Sequence, residues 1–339
     1  YGLVGSEMCI RDRYAAVHGE NLTWETATGP VEKNRLQLVY ENRQLRITQG
    51  NFVWQGIPWS LSGHIEELAP GATPQLNLKG EARTDIRKLT QLLPKPIPSE
   101  LNLNGPAAIS LGITESLSSP KLNLDLNLSE VDARWAKAAR KPPGMPTILG
   151  LQGTHGGGKL QIRGGHMTMG GLKADFEGEV ALKGATPFRF IVQLSQYDLA
   201  QLEQLLPAVE DFKLQGTLGG DLLLSGTRDR LDPPQGEFTL NEGGAHFFNV
   251  VADLNRTQGE IFLSGQTVNA PKLKTYLGES SFNVAAMIPD LADFRLLIDL
   301  EGQNLRPRDL IFRGGKTNLT SVYGPVSYTH LTLPTKRIV

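Results

Sequence analysis

The stretch Gly153-Thr-His-Gly-Gly-Gly-Lys159 nearly spells a phosphate-binding loop. Such a loop wraps backbone amides around a phosphate, adds a lysine, and follows it with a Ser or Thr that holds Mg2+. Here Leu160 follows the lysine, so the metal-binding hydroxyl is missing. The loop should also open a helix, whereas Lys159 to Arg163 (KLQIR) alternates like a strand. The stretch reads as a hairpin turn.

Other reactive residue types are scattered. His18, His64, His155, His166 and His246 include no His-Glu-x-x-His arrangement and no pair at helical metal-ligand spacing. Glu66-Glu67 and Asp229/Asp232 are close along the chain, but catalytic carboxylate pairs converge from separate elements. There is no Gly-x-Ser-x-Gly elbow. Trp54 and Trp59 flank Gly56 and Pro58, where a sheet-packing role is favoured over a binding platform. These residues predict no enzyme, no metal site and no cofactor.

The elements that must carry whatever function remains are strands. The chain has 37 glycines and 21 prolines, with aromatics at only 7%, a mixture of turn formers and small core residues that favours many short strands. A net charge of −1, without a basic run, argues against nucleic acid. No apolar run approaches the ~20 residues of a membrane helix.

Alternation with period two dominates. Lys121 to Leu128 reads KLNLDLNL, with Leu122, Leu124, Leu126 and Leu128 on one face and Asn123, Asp125 and Asn127 on the other. The pattern recurs at Leu76/Leu78, Leu101/Leu103, Phe188/Phe190/Val192/Leu194, Phe212/Leu214, Phe238/Leu240 and Phe294/Leu296/Ile298/Leu300. These are the strands of an antiparallel sheet with one apolar and one polar face.

The strands repeat. Asp85-Ile-Arg-Lys-Leu-Thr-Gln-Leu-Leu-Pro94 matches Asp198-Leu-Ala-Gln-Leu-Glu-Gln-Leu-Leu-Pro207, 113 residues later. Each is a short helix. Asp85 and Asp198 stand at the N-cap, Gln201 at the capping-box position, and Pro94 and Pro207 at the stop. Ile86, Leu89, Leu92 and Leu93 form one apolar face, and Leu199, Leu202, Leu205 and Leu206 the other copy's. Around these helices, Trp59-Ser-Leu-Ser-Gly-His-Ile65 matches Ala174-Asp-Phe-Glu-Gly-Glu-Val180, and Ser281-Phe-Asn-Val-Ala-Ala-Met287 begins a third copy that breaks down at Pro307. Ala136 to Pro146, basic and proline-rich, reads as an insertion between sheet segments.

Residues 6–13 (SEMCIRDR) and 326–339 (VSYTHLTLPTKRIV) resemble translated sequencing-adaptor read-through. Residues 1–13 and 326–339 are therefore set aside as non-native ends, and with them Cys9, the only cysteine. Residues 14–325 form the repeating region, in units of roughly 14–135, 147–248 and a partial 249–325.

An alternating strand, the Asp-Leu-x-x-Leu-x-x-Leu-Leu-Pro helix, a strand ending in Gly, and a strand with Ser-Gly-Thr as at Leu222 to Thr227 together make a grammar. It resembles the AsmA-like superfamily, which includes the YhdP and TamB types of Gram-negative envelope protein. The first copy departs from it with Gly112-Ile-Thr where the second has Gly226-Thr. The resemblance implies a mainly β fold: an elongated, curved antiparallel sheet of repeating units, groove-like, with short amphipathic helices. It implies a periplasmic module of a protein anchored to the inner membrane outside this segment. The implied role is phospholipid transport or outer-membrane lipid homeostasis, with a phospholipid or another envelope lipid as partner; the alternative is a structural or assembly module that binds envelope proteins through its sheet edges. On that reading the lipid contacts are Leu76, Leu78, Leu122, Leu124, Leu126, Leu128, Phe188, Phe190, Val192 and Leu194. The same alternation also fills a dry sandwich or barrel core.

Overall fold

A computed structural model describes residues 9–11, 14–21, 23–26, 29–92, 97–136, 139–182, 184, 186–227, 229–246, 253–290, 297–303, 306, 309 and 327–332. The protein is mainly β: one long, open antiparallel sheet with very few helices. Its residues fall into two compact units, 1–136 with 141–169 and 179–184, and 170–178 with 137–140 and 185–339.

The first unit begins with β1 (Cys9–Arg11), β2 (Tyr14–Glu20), β3 (Trp24–Thr26), β4 (Gly29–Glu41), β5 (Gln44–Trp54), β6 (Ile57–Glu66) and β7 (Gln75–Asp85). Then come α1 (Ile86–Gln91), β8 (Leu101–Asn104), β9 (Pro106–Ser116) and β10 (Lys121–Asn127). After β11 (Asp132–Trp135) and β12 (Ala139–Lys141) the unit continues with β13 (Thr147–Gly156) and β14 (Lys159–Met169). Pairing is sequential from β4 to β7, then passes to β9, β10, β13 and β14. The chain thus leaves the sheet twice, through α1–β8 and through β11–β12. During these excursions β8 and β11 pair with each other.

β15 (Leu172–Ala181) follows. The second unit continues with β16 (Phe188–Asp198), a 3₁₀ turn (Leu199–Gln201), α2 (Leu202–Leu205) and a second 3₁₀ turn (Pro207–Phe212). Next are β17 (Gln215–Gly226), β18 (Gln235–Ala245), β19 (Leu254–Ser264), β20 (Thr267–Leu277), β21 (Ser280–Ile288), β22 (Leu297–Gln303) and β23 (Ser327–Thr332). Each strand from β16 to β23 pairs with the next.

Most alternating runs lie in strands. Gly153 to Lys159 is the β13–β14 hairpin, closed at Gly156–Lys159 with Gly157 and Gly158 left-handed at its tip. Phe212/Leu214 is the exception. Phe212 ends a 3₁₀ turn, Lys213 is left-handed (φ 45°), and β17 starts only at Gln215. Two alternating residues are too short a signal when Pro207 has just opened a helical turn.

The repeated helix motif holds, with corrections. The carboxylate of Asp85 accepts from the Arg87 amide at 2.9 Å, and that of Asp198 from the Ala200 amide at 3.0 Å. Leu92 is exposed instead of buried, because α1 has already ended. Gln201 closes no capping box, since the second copy begins as a 3₁₀ turn, and its side chain lies against Gly171. Pro207 opens the second 3₁₀ turn instead of ending the structure. Leu93, Pro94, Phe294, Leu296 and Pro307 lie outside the described residues.

What the helix position does is the same in each copy: a side chain from it meets the tip of the hairpin that opens the copy. Lys88 Nζ donates to the Gly56 carbonyl at 3.0 Å. Gln201 lies against Gly171. Asp309 accepts from the Glu279 and Ser280 amides and the Ser280 hydroxyl at 2.9–3.0 Å, and the Arg306 amide donates to that hydroxyl. Gly63 in β6 marks another repeated constraint. At φ +124° it passes so close to the Asn77 carbonyl of β7 that a Cβ would collide. Gly178, its counterpart, is equally close to the Arg189 carbonyl.

Burial is local. Ile57, Ala82 and Ile109 form one buried cluster and Ile86, Ala107 and Val131 a second, both beneath Leu89 of α1. Ala270, Leu273 and Val284 form a third in the other unit. A sheet buries its apolar face only where something lies over it.

Candidate functional site

Residues directly opposite each other in an antiparallel ladder point to the same face. The register therefore converts single alternating strands into rows that cross the sheet. One row in the first unit runs Val17, Leu38, Ile47, Gly63, Leu78, Ile113, Leu122, Gly153, Ile162, over nine strands. At about 4.8 Å per strand it is roughly 38 Å long. The next row is Leu61, Gly80, Leu111, Leu124, Leu151. A third is Phe52, Trp59, Ala82, Ile109, Leu126, Leu149, Met167.

The rows differ in cover. In the third, Ala82 and Ile109 are buried and Trp59 and Leu126 pack with them under Leu89. The Trp59 and Trp54 rings lie 6.4 Å apart, a packing role, and the Trp59 indole N–H is buried without a hydrogen-bond partner. Away from α1 the cover ends. In the first row Val17, Leu38, Ile47, Leu78, Ile113 and Leu122 are only half-buried, while Ile162 is buried; in the second, Leu61, Leu111 and Leu151 are half-buried, and Leu124 packs with Leu89 on the cluster of Ile57, Ala82 and Ile109.

The predicted contacts fall into this pattern. Leu78 and Leu122 share the first row through Ile113, and Leu124 lies in the second. Leu126 and Leu128 are occupied beneath the helix, packed on the cluster of Ile86, Ala107 and Val131. Leu76 is buried (9% exposed) opposite Ile65. In the second unit Phe190 pairs with Leu224, Val192 with Leu222 and Leu194 with Gly220, and all three, with Phe188, are half-buried. Phe190 meets Phe176 edge-on at 6.2 Å and Phe188 at 5.9 Å. A row of six strands passes beside them: Tyr197, Leu218, Leu240, Gly259, Leu273, Val284.

Ile113, Ile47, Leu38, Val17, Leu61, Leu111 and Leu151 complete the rows but were not among the candidates. Alternation at Ala107, Ile109, Leu111 and Ile113 was there to be read. It was obscured by Gly80, Gly112 and Gly153 and by the bulge at Gln152/Gly153.

The opposite face of the same strands holds a shallow depression of about 960 Å3. Asn51, Ser60, Glu81 and Asp125 line it together with the apolar Val53, Pro58, Ala108 and Ile148. None of the ten candidates lines it.

Ionisable groups perturbed by their surroundings are few. Hydrogen bonds from Arg87 hold the Asp85 carboxyl at about 2, below its usual 3.8. Burial pushes the Lys141 ammonium down and the Tyr197 phenol up. None of the three faces a partner suited to proton transfer to a substrate. Among the described residues no group of three His, Cys, Asp or Glu could hold a metal ion, and no helix is long and apolar enough to cross a membrane.

Comparison with protein-family models, curated proteins and solved structures finds no match for this chain. The fold and the rows are what a functional reading has to stand on.

Proposed function

We propose that this chain is a non-enzymatic lipid-holding module, part of a periplasmic protein of the AsmA-like kind that moves phospholipid between envelope membranes along an apolar sheet face. The observation that carries the reading is the apolar row from Val17 to Leu122, half-buried on successive strands of an open sheet. A dry core would have buried these side chains, and their partial exposure supports a place for an apolar occupant. An acyl chain of about 16 methylenes costs roughly 13 kcal/mol to expose to water, at ~0.8 kcal/mol per group. A carrier must therefore offer apolar surface without a break over a tail's length, and the Val17–Ile162 row exceeds that length. Covalent chemistry has no part in such a task, and substrate specificity comes from shape and apolarity alone.

Site-specific photocrosslinking in envelope membranes tests the proposal. A photoreactive residue at Leu122 or Phe190 is expected to capture lipid, and one at the outward Asn123 or Arg189 is not. Equal capture at both faces, or none at either, would overturn the lipid reading.

A further inference from the structure

The depression of about 960 Å3 on the polar face takes no part in the lipid reading. Its size is that of a small-molecule site. It lies wholly within the first unit, and two rows of paired residues cross it. In one, Glu81, Ser110 and Asp125 follow each other on β7, β9 and β10. In the other, Arg83 pairs with Ala108, Ala108 with Asn127, and Asn127 with Ile148. Ile148, 37% exposed, joins Val53, Pro58 and Ala108 as the apolar part of the lining.

Two charges on this lining are left over. Along β7 and into α1, Lys79 pairs with Glu81 at 2.6 Å and Arg87 with Asp85 at 2.8 Å. Arg83 stands between these pairs with both neighbouring carboxylates taken. It is exposed, and its guanidinium meets no partner among the described residues. Asp125 is exposed too, has Ser110 and Gly150 as its cross-strand neighbours, and likewise meets none. The two are separated by two strands and two residues, about 12 Å between Cα atoms at ~4.8 Å per strand and ~3.3 Å per residue, and no ion pair joins them. A cation and a carboxylate, unpaired on either side of an apolar patch, are complementary to a ligand with a carboxylate at one end, an ammonium at the other and an apolar body between.

We infer that the depression binds a short peptide of two or three apolar residues with free ends. Its terminal carboxylate meets the Arg83 guanidinium, its terminal ammonium meets Asp125, and its side chains lie on Ala108 and Ile148. An extended peptide advances ~3.3–3.6 Å per residue, so this length bridges the gap that remains once both side chains reach toward the ligand. The site is on the opposite face from the apolar rows and stands independently of the lipid reading.

The test titrates the full chain with the tripeptide Ala-Leu-Ala, followed by saturation-transfer NMR of the peptide. Binding is expected, weakened about tenfold when the amino end is acetylated and about tenfold when the carboxyl end is amidated, because each block removes one charge-assisted contact. Arg83→Gln should weaken the unblocked peptide about tenfold and make amidation immaterial. Asp125→Asn should do the same and make acetylation immaterial. Both positions are exposed, and circular dichroism checks that each variant is folded. No binding, binding indifferent to both blocks, or blocks that keep their full effect in the two variants would overturn the inference. So would glycerophosphoethanolamine held at Arg83 and Asp125 while the peptide is ignored, which would make the site one for a lipid headgroup.

Discussion

The two helix motifs, 113 residues apart and nearly identical in pattern, stand in different settings. In the first copy the motif forms α1, the Ile86 amide donates to the Gly105 carbonyl at 2.9 Å, and Ile86 (6% exposed) joins Ala107 and Val131 in a buried cluster. In the second copy it splits into a 3₁₀ turn with no buried residue and a four-residue helix in which only Leu205 is buried. The strands beneath are alike. What differs is the connection after β10, whose Val131 and β8–β11 ribbon close over the first helix. A helix of six residues is unstable alone, so its conformation follows what packs on it. The contrast teaches that the same helix motif can roof the sheet fully or only in part, depending on what the neighbouring connection supplies.

The largest expected effect falls where the roof is. Ile86→Ala should cost about 3 kcal/mol, the usual range for truncating a buried isoleucine. Leu199→Ala, at the matching position of the second copy, is half-buried and should cost roughly a third as much. Denaturant unfolding of the two variants, followed by circular dichroism, measures both. Equal losses would mean that the second motif is as well covered as the first, and the contrast would be gone.

A smaller loss should follow from Lys141→Met, which keeps the aliphatic stem and removes the donors. The three carbonyls its ammonium serves, of Ser129, Val131 and Pro142 at 3.0, 2.7 and 3.2 Å, lose their protein partner, at a cost of about 2 kcal/mol after water enters. Amide exchange is expected to quicken in β8 and β11 and to stay unchanged in β16 to β18. Protection lost evenly over both units would show that the ribbon is not a separate roof.

How much of this contrast could be read from the residues depends on range. The strands announce themselves locally, because alternation such as KLNLDLNL is a property of one segment and its two faces. The caps at Asp85 and Asp198 are local too, and both form as their spacing predicts. The rows are not local. Leu78 and Leu122 meet only through Ile113, on a register fixed by hairpins and bulges that no single segment encodes. The failures at Phe212/Leu214 and Gln201 have one cause: the helical segment after β16 follows a tertiary setting, and neither two alternating residues nor a capping-box spacing reports on that. Lys141 lay within a stretch that read as a basic loop, and its role appears only when the carbonyls of Ser129 and Val131 are folded around it.

The smallest expected effect concerns the caps. Arg87 closes a two-point clasp on Asp85, Nε to Oδ1 at 2.9 Å and Nη2 to Oδ2 at 2.8 Å, whereas the matching residue after Asp198 is Ala200. The clasp, with the Arg87 amide, holds the Asp85 carboxyl at about 2, below its usual 3.8. A carboxylate whose folded value is depressed adds stability that is fully present above its unfolded value and is lost as pH falls through the folded one. The clasp's contribution should therefore be complete above about 3.8, shrink as pH falls toward about 2, and be gone below it. Arg87→Ala makes the first cap chemically like the second, so it has less to lose and its stability should fall less over that range. Arg87→Lys, which keeps the charge but not the fork, should fall between. Thermal unfolding of the three proteins across that acid range shows the order directly. If all three lose stability along the same pH curve, the clasp contributes nothing in water, as solvent-exposed ion pairs often do, and the two caps would be equivalent after all.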